Sequence, residues 1–253
     1  MIDTHCHLYT SEFDDDIAEV MGRAAVAGVT KCYLPAIDKS CTGRMDLLEA
    51  AYPATCFAMA GLHPCSVKGD FQTELDHVRA LLQQRKFAGI GETGLDLYWD
   101  KTFIREQVEA LKIQVEWALE YKLPLILHTR NATQETIDVI KNYRDRGLHG
   151  IFHCFGGTLN EAQQIIDLNF YLGIGGVVTY KNAGLAEVIA DVDMKHLVLE
   201  TDAPYLAPAP MRGKRNETAY VAYIAERLAS VKNISTDEVK RITTENAQKI
   251  FGV

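Results

Sequence analysis

Leu123–Arg130, LPLILHTR, is apolar for most of its length and ends on a histidine and an arginine. A strand with one wet face would alternate apolar and polar residues. This one does not, so both its faces should be covered, as in a parallel sheet flanked by helices. The residues before it supply the cover. From Phe103 to Lys122, the positions Ile104, Val108, Leu111, Val115 and Ala118 step by four and three along one helical face. One helix followed by one buried strand is half of the repeating unit of an α/β fold.

The same pattern recurs on both sides. Runs of the same character are MIDTHCH (1–7), VTKCYLPAI (29–37), CFAMAGLH (56–63), FAGIGETG (87–94), GIFHCFG (150–156), FYLGIGG (170–176) and HLVLETDAP (196–204). Amphipathic stretches separate them. Thr158 with Glu161, and Ser235 with Glu238, have the spacing of capping boxes at helix starts. Gly28 and Gly147 stand where helices should end. Eight strand–helix units in 253 residues predict a TIM (β/α)8 barrel, with residues 1–253 forming a single domain. A doubly wound open sheet is the alternative, but no G-x-G-x-x-G follows any of the strands, GIGETG (89–94) lying within a strand run. Ala203–Thr218, with three prolines and a basic cluster, reads as a long loop after the last strand.

Composition narrows the function. The net charge of −8, from 34 acidic and 26 basic residues, excludes a protein that coats nucleic acid through a broad positive footprint. It leaves room for an enzyme that grips a few phosphates. The six cysteines show no C-x-x-C or framework spacing, and several sit in apolar runs. Buried free thiols, and with them the cytoplasm, are the expectation. No leader or membrane span is evident at this level, nor anything that asks for an obligate protein partner.

The strand ends carry the chemistry. His5 and His7 close the first strand, Glu92 the fourth, His128 the fifth and His153 the sixth, and Asp202 follows the eighth. On a barrel, these ends share the face where catalytic residues gather. Four histidines and two carboxylates are too many for one open catalytic ion. They suit two ions, roughly 3.5–4 Å apart, that share an activated water. By position, His5, His7 and Asp202 belong to one ion, His128 and His153 to the other, and Glu92 bridges them. Asp202 is also placed to take a proton from the attacking water. His77, His149 and His196 lie in helices or before strands and are set aside.

Around this set lie residues with two readings each. His63 ends the third strand, either as a donor to a substrate phosphate or as a packed structural histidine. Arg130 can offer a bidentate fork to phosphate. Glu200 either orients a ligand or supports the barrel interior, and Asp96 either holds a histidine or water or caps a turn. Arg212, Lys214 and Arg215 form the densest basic cluster, expected at phosphates if not simply solvated. Tyr98 and Trp99 offer stacking faces for a base, or packing for the rim.

MIDTHCH, GLHP, GIGETGLD, LPLILHTR, FHCFGG and LETDAPYL, in this order, closely resemble the motifs of the TatD family of metal-dependent hydrolases, within the amidohydrolase-like barrels. The resemblance covers essentially the whole chain. It implies a magnesium-, manganese- or zinc-dependent deoxyribonuclease, often acting 3′-to-5′, with DNA single strands or 3′ ends as substrate. It also implies the same six ligands, His5, His7, Glu92, His128, His153 and Asp202. Two departures stand out. Thr93 follows the bridging glutamate where the family often has an apolar residue or cysteine, and RNET (215–218) stands where it usually has R-N-E-P. The rival from the same architecture is a hydrolase of a small ester, amide or lactone. A carbamylated lysine bridge would favour it, but no lysine ends the fourth or fifth strand.

Overall fold

The computed structural model describes residues 1–252. Its strands are β1 (Ile2–Asp3), β2 (Lys31–Leu34), β3 (Cys56–Ala58), β4 (Ile90–Asp96), β5 (Leu125–Arg130), β6 (Gly150–Phe152), β7 (Phe170–Ile174) and β8 (Leu197–Leu199). The principal helices are α1 (Ile17–Val26), α2 (Thr42–Ala51), α3 (Phe71–Gln84), α4 (Ile104–Tyr121), α5 (Thr133–Ile140), α6 (Leu159–Asp167), α7 (Leu185–Ala190), α8 (Val221–Lys232) and α9 (Thr236–Phe251). The strands pair in parallel as β1-β2-β3 and β4-β5-β6-β7-β8. Two seams join these arcs into a barrel. Ala60 bridges Ile90 in parallel between β3 and β4. Across the other seam, Thr4 N–H donates to Leu199 O (3.1 Å), Asp202 N–H to His5 O (2.9 Å) and His7 N–H to Ala203 O (2.7 Å).

The barrel is filled in two chemically distinct halves. At its floor, Ile2, Tyr33, Met59, Ile126, Ile151 and Val198 pack together with Ala247 and Ile250 of α9, which plugs the bottom. Each fully buried side chain of this kind stabilises the fold by about 1.5–3 kcal/mol. The opposite end is polar and carries the site. Between the strands and the surrounding helices runs a second, larger apolar layer, including Leu34, Ile90, Leu111, Leu125, Leu127 and Phe152.

The helix before LPLILHTR forms as its periodicity dictates, with Lys122 in the left-handed conformation ending it. Thr158 and Glu161 make a reciprocal capping box. At Ser235 only the serine side accepts, from Glu238 N–H. Gly147 takes its expected left-handed conformation, but after a 3-10 segment. The regular strands are shorter than the apolar runs. β1 ends at Asp3, so His5 and His7 lie in the irregular chain just past it, and Glu92 falls within β4 near its start. The alternation of a regular strand fails here: Thr4 N–H bonds to Leu199 O on the β8 side, but Cys6 N–H, two residues on, bonds to Tyr33 O on the β2 side (3.0 Å), and His7 N–H returns to Ala203 O. Among the described residues, no helix is long and apolar enough to cross a membrane, and all six cysteines are free.

Candidate metal centre

Glu92 is the hub of the polar half. It is buried, and its two oxygens face different histidines. Oε2 lies 3.1 Å from His5 Nε2 and 3.5 Å from His7 Nε2. Oε1 lies 2.9 Å from His128 Nδ1, 3.5 Å from His63 Nε2 and 3.8 Å from His153 Nε2. Asp202 Oδ1 stands 3.5 Å from His7 Nε2 and 3.9 Å from the Nε2 atoms of both His5 and His153. The six residues named from the sequence therefore converge. One partition differs from the expectation: His153 stacks on His5, with ring centroids 3.4 Å apart, and groups with His5 and Asp202, whereas His63 groups with Glu92 and His128.

The backbone is shaped for this convergence. β4 shifts register between Ile90 and Thr93, beside Glu92. Gly94 has φ +138°, and a Cβ there would sit 2.1 Å from His128 O, so only glycine lets β4 approach β5 this closely. Cys154 and Asp202 are left-handed, turning the chain sharply away just past His153 and at the carboxylate of Asp202.

Hydrogen bonds on the far side of the ring assign the tautomers of His7, His128 and His63, whereas Nδ1 of His5 and of His153 is buried without such a bond. Tyr9 O–H donates to Pro35 O (2.6 Å), so at its contact with His7 Nδ1 (2.8 Å) it accepts, which puts the His7 proton on Nδ1 and frees Nε2. His128 Nε2 lies 2.9 Å from Asp96 Oδ2, and His153 Nδ1 lies 2.9 Å from Glu200 Oε1. The hydrogen bond to Asp96 draws the His128 proton outward and leaves its Nδ1 to the site, and the charge of Glu200 favours a proton on His153 Nδ1, which leaves Nε2 to the site. His63 is the reverse. Its Nδ1 accepts from Cys65 N–H (3.0 Å), so the neutral ring carries its proton on Nε2, pointing inward. His63 is therefore built to donate, and the other rings to ligate.

Asp96 fills both of its suggested roles. Oδ2 holds His128, while Oδ1 accepts from Tyr98 N–H and Trp99 N–H, each at 2.9 Å, and caps the turn. Glu200 is fully buried, accepts from Cys154 N–H (2.6 Å), and its carboxylate occupies the space where a Gly173 Cβ would be. Asp3 ties the β1–β8 seam. It accepts from Thr201 Oγ1 (2.6 Å), Thr201 N–H (3.0 Å) and His5 N–H (3.3 Å), and also from Thr218 Oγ1. Thr218 is the departure noted in RNET, and its hydroxyl explains itself here. Thr93, the other departure, accepts from Gln114 Nε2 at 2.7 Å.

Two buried glutamines of α4 were not foreseen. Gln114 brackets Leu62, receiving its N–H (2.8 Å) and donating to its carbonyl (3.2 Å), which fixes the chain beside His63. Gln107 does the same for Asp96. Their signal was present: two amides seven residues apart on an otherwise apolar helical face.

The basic residues divide. Arg130 lines the mouth, its guanidinium 4.1 Å from the Tyr98 ring and 5.1 Å from Trp99. Arg212, Lys214 and Arg215 do not line it. Arg215 is forked onto Asp16 at the start of α1 (2.7 Å twice), and Arg212 lies over the Tyr180 ring (4.6 Å). The mouth opens into a cavity of about 1240 Å³ that includes His7, His63, Glu92, His128, His153 and Asp202 in its walls.

Electrostatics fit cations here. Burial opposes charge on Glu92, but the charges of His5 and His63 and the hydrogen bond to His128 hold its pKa well below the usual carboxylate range. Asp202 is likewise held low against burial, chiefly by His153 and His7. Burial also opposes protonation of His7, yet Asp202 and Glu92 lift it to about 9. His153 rises to about 10 against burial, through Glu200 and Asp202. Without metal, both rings hold protons at neutral pH that a cation must displace. Calorimetry in buffers of different ionisation enthalpy is expected to show about two protons released per loaded site at pH 7, and affinity rising up to about pH 9–10. The metal-free fold should show the matching trend. The raised pKa values add stability that is fully present below about pH 6.5 and lost as pH rises through about 9 and 10. Binding without proton release would overturn the ligand roles of these two rings.

The sequence pattern of the TatD related DNase family matches residues 2–252. Metal-dependent hydrolase YabD of Bacillus subtilis is 37% identical over 255 residues, spanning 100% of this chain and 99% of its own. The 3′-5′ ssDNA/RNA exonuclease TatD of Citrobacter koseri is 32% identical, over 100% of this chain and 99% of its own. The crystal structure of the TatD homologue YjjV from Escherichia coli superposes with a TM-score of 0.94 at 30% identity, covering 100% of this chain and 98% of that one. With its glutamate hub and converging imidazoles on a (β/α)8 barrel, the chain belongs to the TatD related DNase family of metal-dependent hydrolases.

Proposed function

We propose that this hydrolase cleaves phosphodiester bonds of DNA, removing nucleotides from the 3′ ends of single strands, with two divalent ions in the site. The observation that carries the two-ion reading is Glu92, whose oxygens face separate imidazole sets. His5, His7 and Asp202 with Oε2 would hold one ion. His128 with Oε1 would hold the other, and His153, whose Nε2 lies 3.8 Å from Oε1 and 3.9 Å from Asp202 Oδ1, stands between the two and would complete the second. Magnesium, manganese or zinc bound there would supply Lewis acidity and a water acidic enough to attack near neutral pH.

The chain's own residues do the rest. Asp202, the most open of the site carboxylates, takes the proton of the attacking water. His63, whose Nε2–H faces His128 Nδ1 (3.3 Å) and Glu92 Oε1 (3.5 Å), would donate to a non-bridging phosphate oxygen once an ion engages those two atoms. Arg130 reaches a neighbouring phosphate with a forked guanidinium. The cavity, at about 1240 Å³, exceeds the roughly 300–1,000 Å³ of small-molecule sites and supports a polymer over a small ester, amide or lactone. The relative from C. koseri named as a 3′-5′ ssDNA/RNA exonuclease supports the same direction, and the free thiols support a cytoplasmic setting.

The test is a 5′-labelled single-stranded oligonucleotide with metal-reconstituted protein. Stepwise shortening from the 3′ end is expected, with two ions per chain by elemental analysis. Turnover of esters or lactones but not of oligonucleotides would refute the assignment. Arg130→Ala should lower kcat/KM on the oligonucleotide by roughly 10–100-fold with metal content unchanged, since a charged hydrogen bond is worth ~1.5–3 kcal/mol.

A further inference from the structure

Of the eight large hydrophobic residues that stand exposed among those described, five surround the metal centre. Trp99 is 67% exposed, Tyr98 51%, Tyr205 46%, Leu159 43% and Leu206 41%. Trp99, Leu159, Tyr205 and Leu206 line the cavity directly, and Tyr98 stands edge-on to Trp99 with centroids 4.9 Å apart. Leaving such groups in water is costly, and a contiguous exposed apolar rim marks a binding surface.

Its arrangement specifies the occupant. Tyr98 and Trp99 follow β4, whereas Tyr205 and Leu206 follow β8. Four strands apart in an eight-stranded barrel means opposite sides of the mouth, with Glu92 and the histidines between. On the β4 side the rings are joined by Arg130, so the wall offers flat faces and positive charge together. On the β8 side, Leu206 is held left-handed with its carbonyl where a Gly176 Cβ would be, an unfavoured conformation that turns its side chain outward. Tyr205 places its ring 6.0 Å from that of His7. Flat apolar faces beside a cation suit unstacked nucleobases on a charged backbone.

We infer that the two walls are nucleobase platforms, one on each side of the scissile phosphate: Trp99 with Tyr98 and Arg130, and Tyr205 with Leu206. This rests on the polynucleotide reading of the site and assigns the residues that would carry its single-strand preference. Bases within a duplex have no free face to offer, so the platforms select single strands, and they do so with little regard to base identity.

The experiment is a cycle between protein and substrate, read in chelator by oligonucleotide binding and with metal by cleavage. Single-stranded DNA with a tetrahydrofuran abasic residue next to the scissile phosphate, on its 5′ or its 3′ side, is compared with the intact strand, on wild type and Trp99→Ala. Wild type should bind one of the two abasic strands roughly 10-fold more weakly than the intact one. Trp99→Ala should lose a similar factor on the intact strand and almost nothing further on that abasic strand, because the same contact is removed twice. The other abasic strand should pair in this way with Leu206→Ala. Leu47→Ala, equally exposed but remote from the mouth, should bind as wild type. Equal wild-type affinity for intact and abasic strands overturns the platforms, as does a Trp99→Ala loss that is the same on all strands. Absent cleavage with the coupling intact would instead count against the phosphodiesterase reading alone.

Discussion

Glu92→Ala is expected to abolish turnover, by ~10⁴-fold or more, and to weaken metal at both loci together. Losing a single acid–base group costs ~10²–10⁴-fold, and Glu92 holds the imidazoles of both loci in place. Its Oε2 serves His5 and His7, and its Oε1 serves His128, His63 and His153. Outer partners of ligands cost ~10–100-fold in metal affinity when removed, and a shared inner carboxylate should exceed that at each locus. The metal-free variant gives an independent reading. Glu92 raises the pKa of His7 and of His153, so both should titrate lower in the variant by histidine NMR. Selective loss of one ion, with the other bound normally, would disprove the bridge.

Asp202→Asn is the second large effect and has a different signature. The amide keeps the shape and an oxygen near His7, but it cannot take a proton at neutral pH. Turnover should fall ~10²–10⁴-fold while metal content stays near that of wild type. The pH profile should change as well: the limb on which rate rises with pH, set by the carboxylate losing its proton, should disappear. Asp202 is held below the ordinary carboxylate range, against burial, by His153 and His7, so that limb lies in acid. Near-normal turnover in the variant would remove Asp202 from proton transfer and leave it only as a ligand.

How much of this the sequence carried depends on whether a residue's neighbours are near it in the chain. LPLILHTR and its seven counterparts predict the barrel because strand burial and helix periodicity are local patterns. The six converging residues were legible because parallel strands put all their C-terminal ends on one face. What failed was positional detail set by long-range bonds. β1 ends at Asp3 because the alternation of its partners fails beyond it, Thr4 bonding toward β8 and Cys6 toward β2. Arg215 looked available until the fold brought Asp16, some 200 positions earlier, into a fork with it. The role of His63 turns on the Cys65 N–H, a neighbour visible in sequence whose direction is not. Gln107 and Gln114 went unread because an apolar face with two amides still scans as an amphipathic helix.

The β1–β8 seam constrains when the enzyme comes to exist. Asp3 closes on Thr201, 198 positions away, and on Thr218, 215 positions away. His5 and Asp202 face one another only once that closure is made. During synthesis, at about 5–20 residues per second, the first ligands therefore wait for most of the chain before their partner emerges from the ribosome. Partially translated chains hold His5, His7, Glu92, His128 and His153 but lack Asp202, and hence the group assigned to proton transfer. A product truncated before Asp202 is for this reason expected to be catalytically silent, which an activity assay on a chain ending before residue 202 would check.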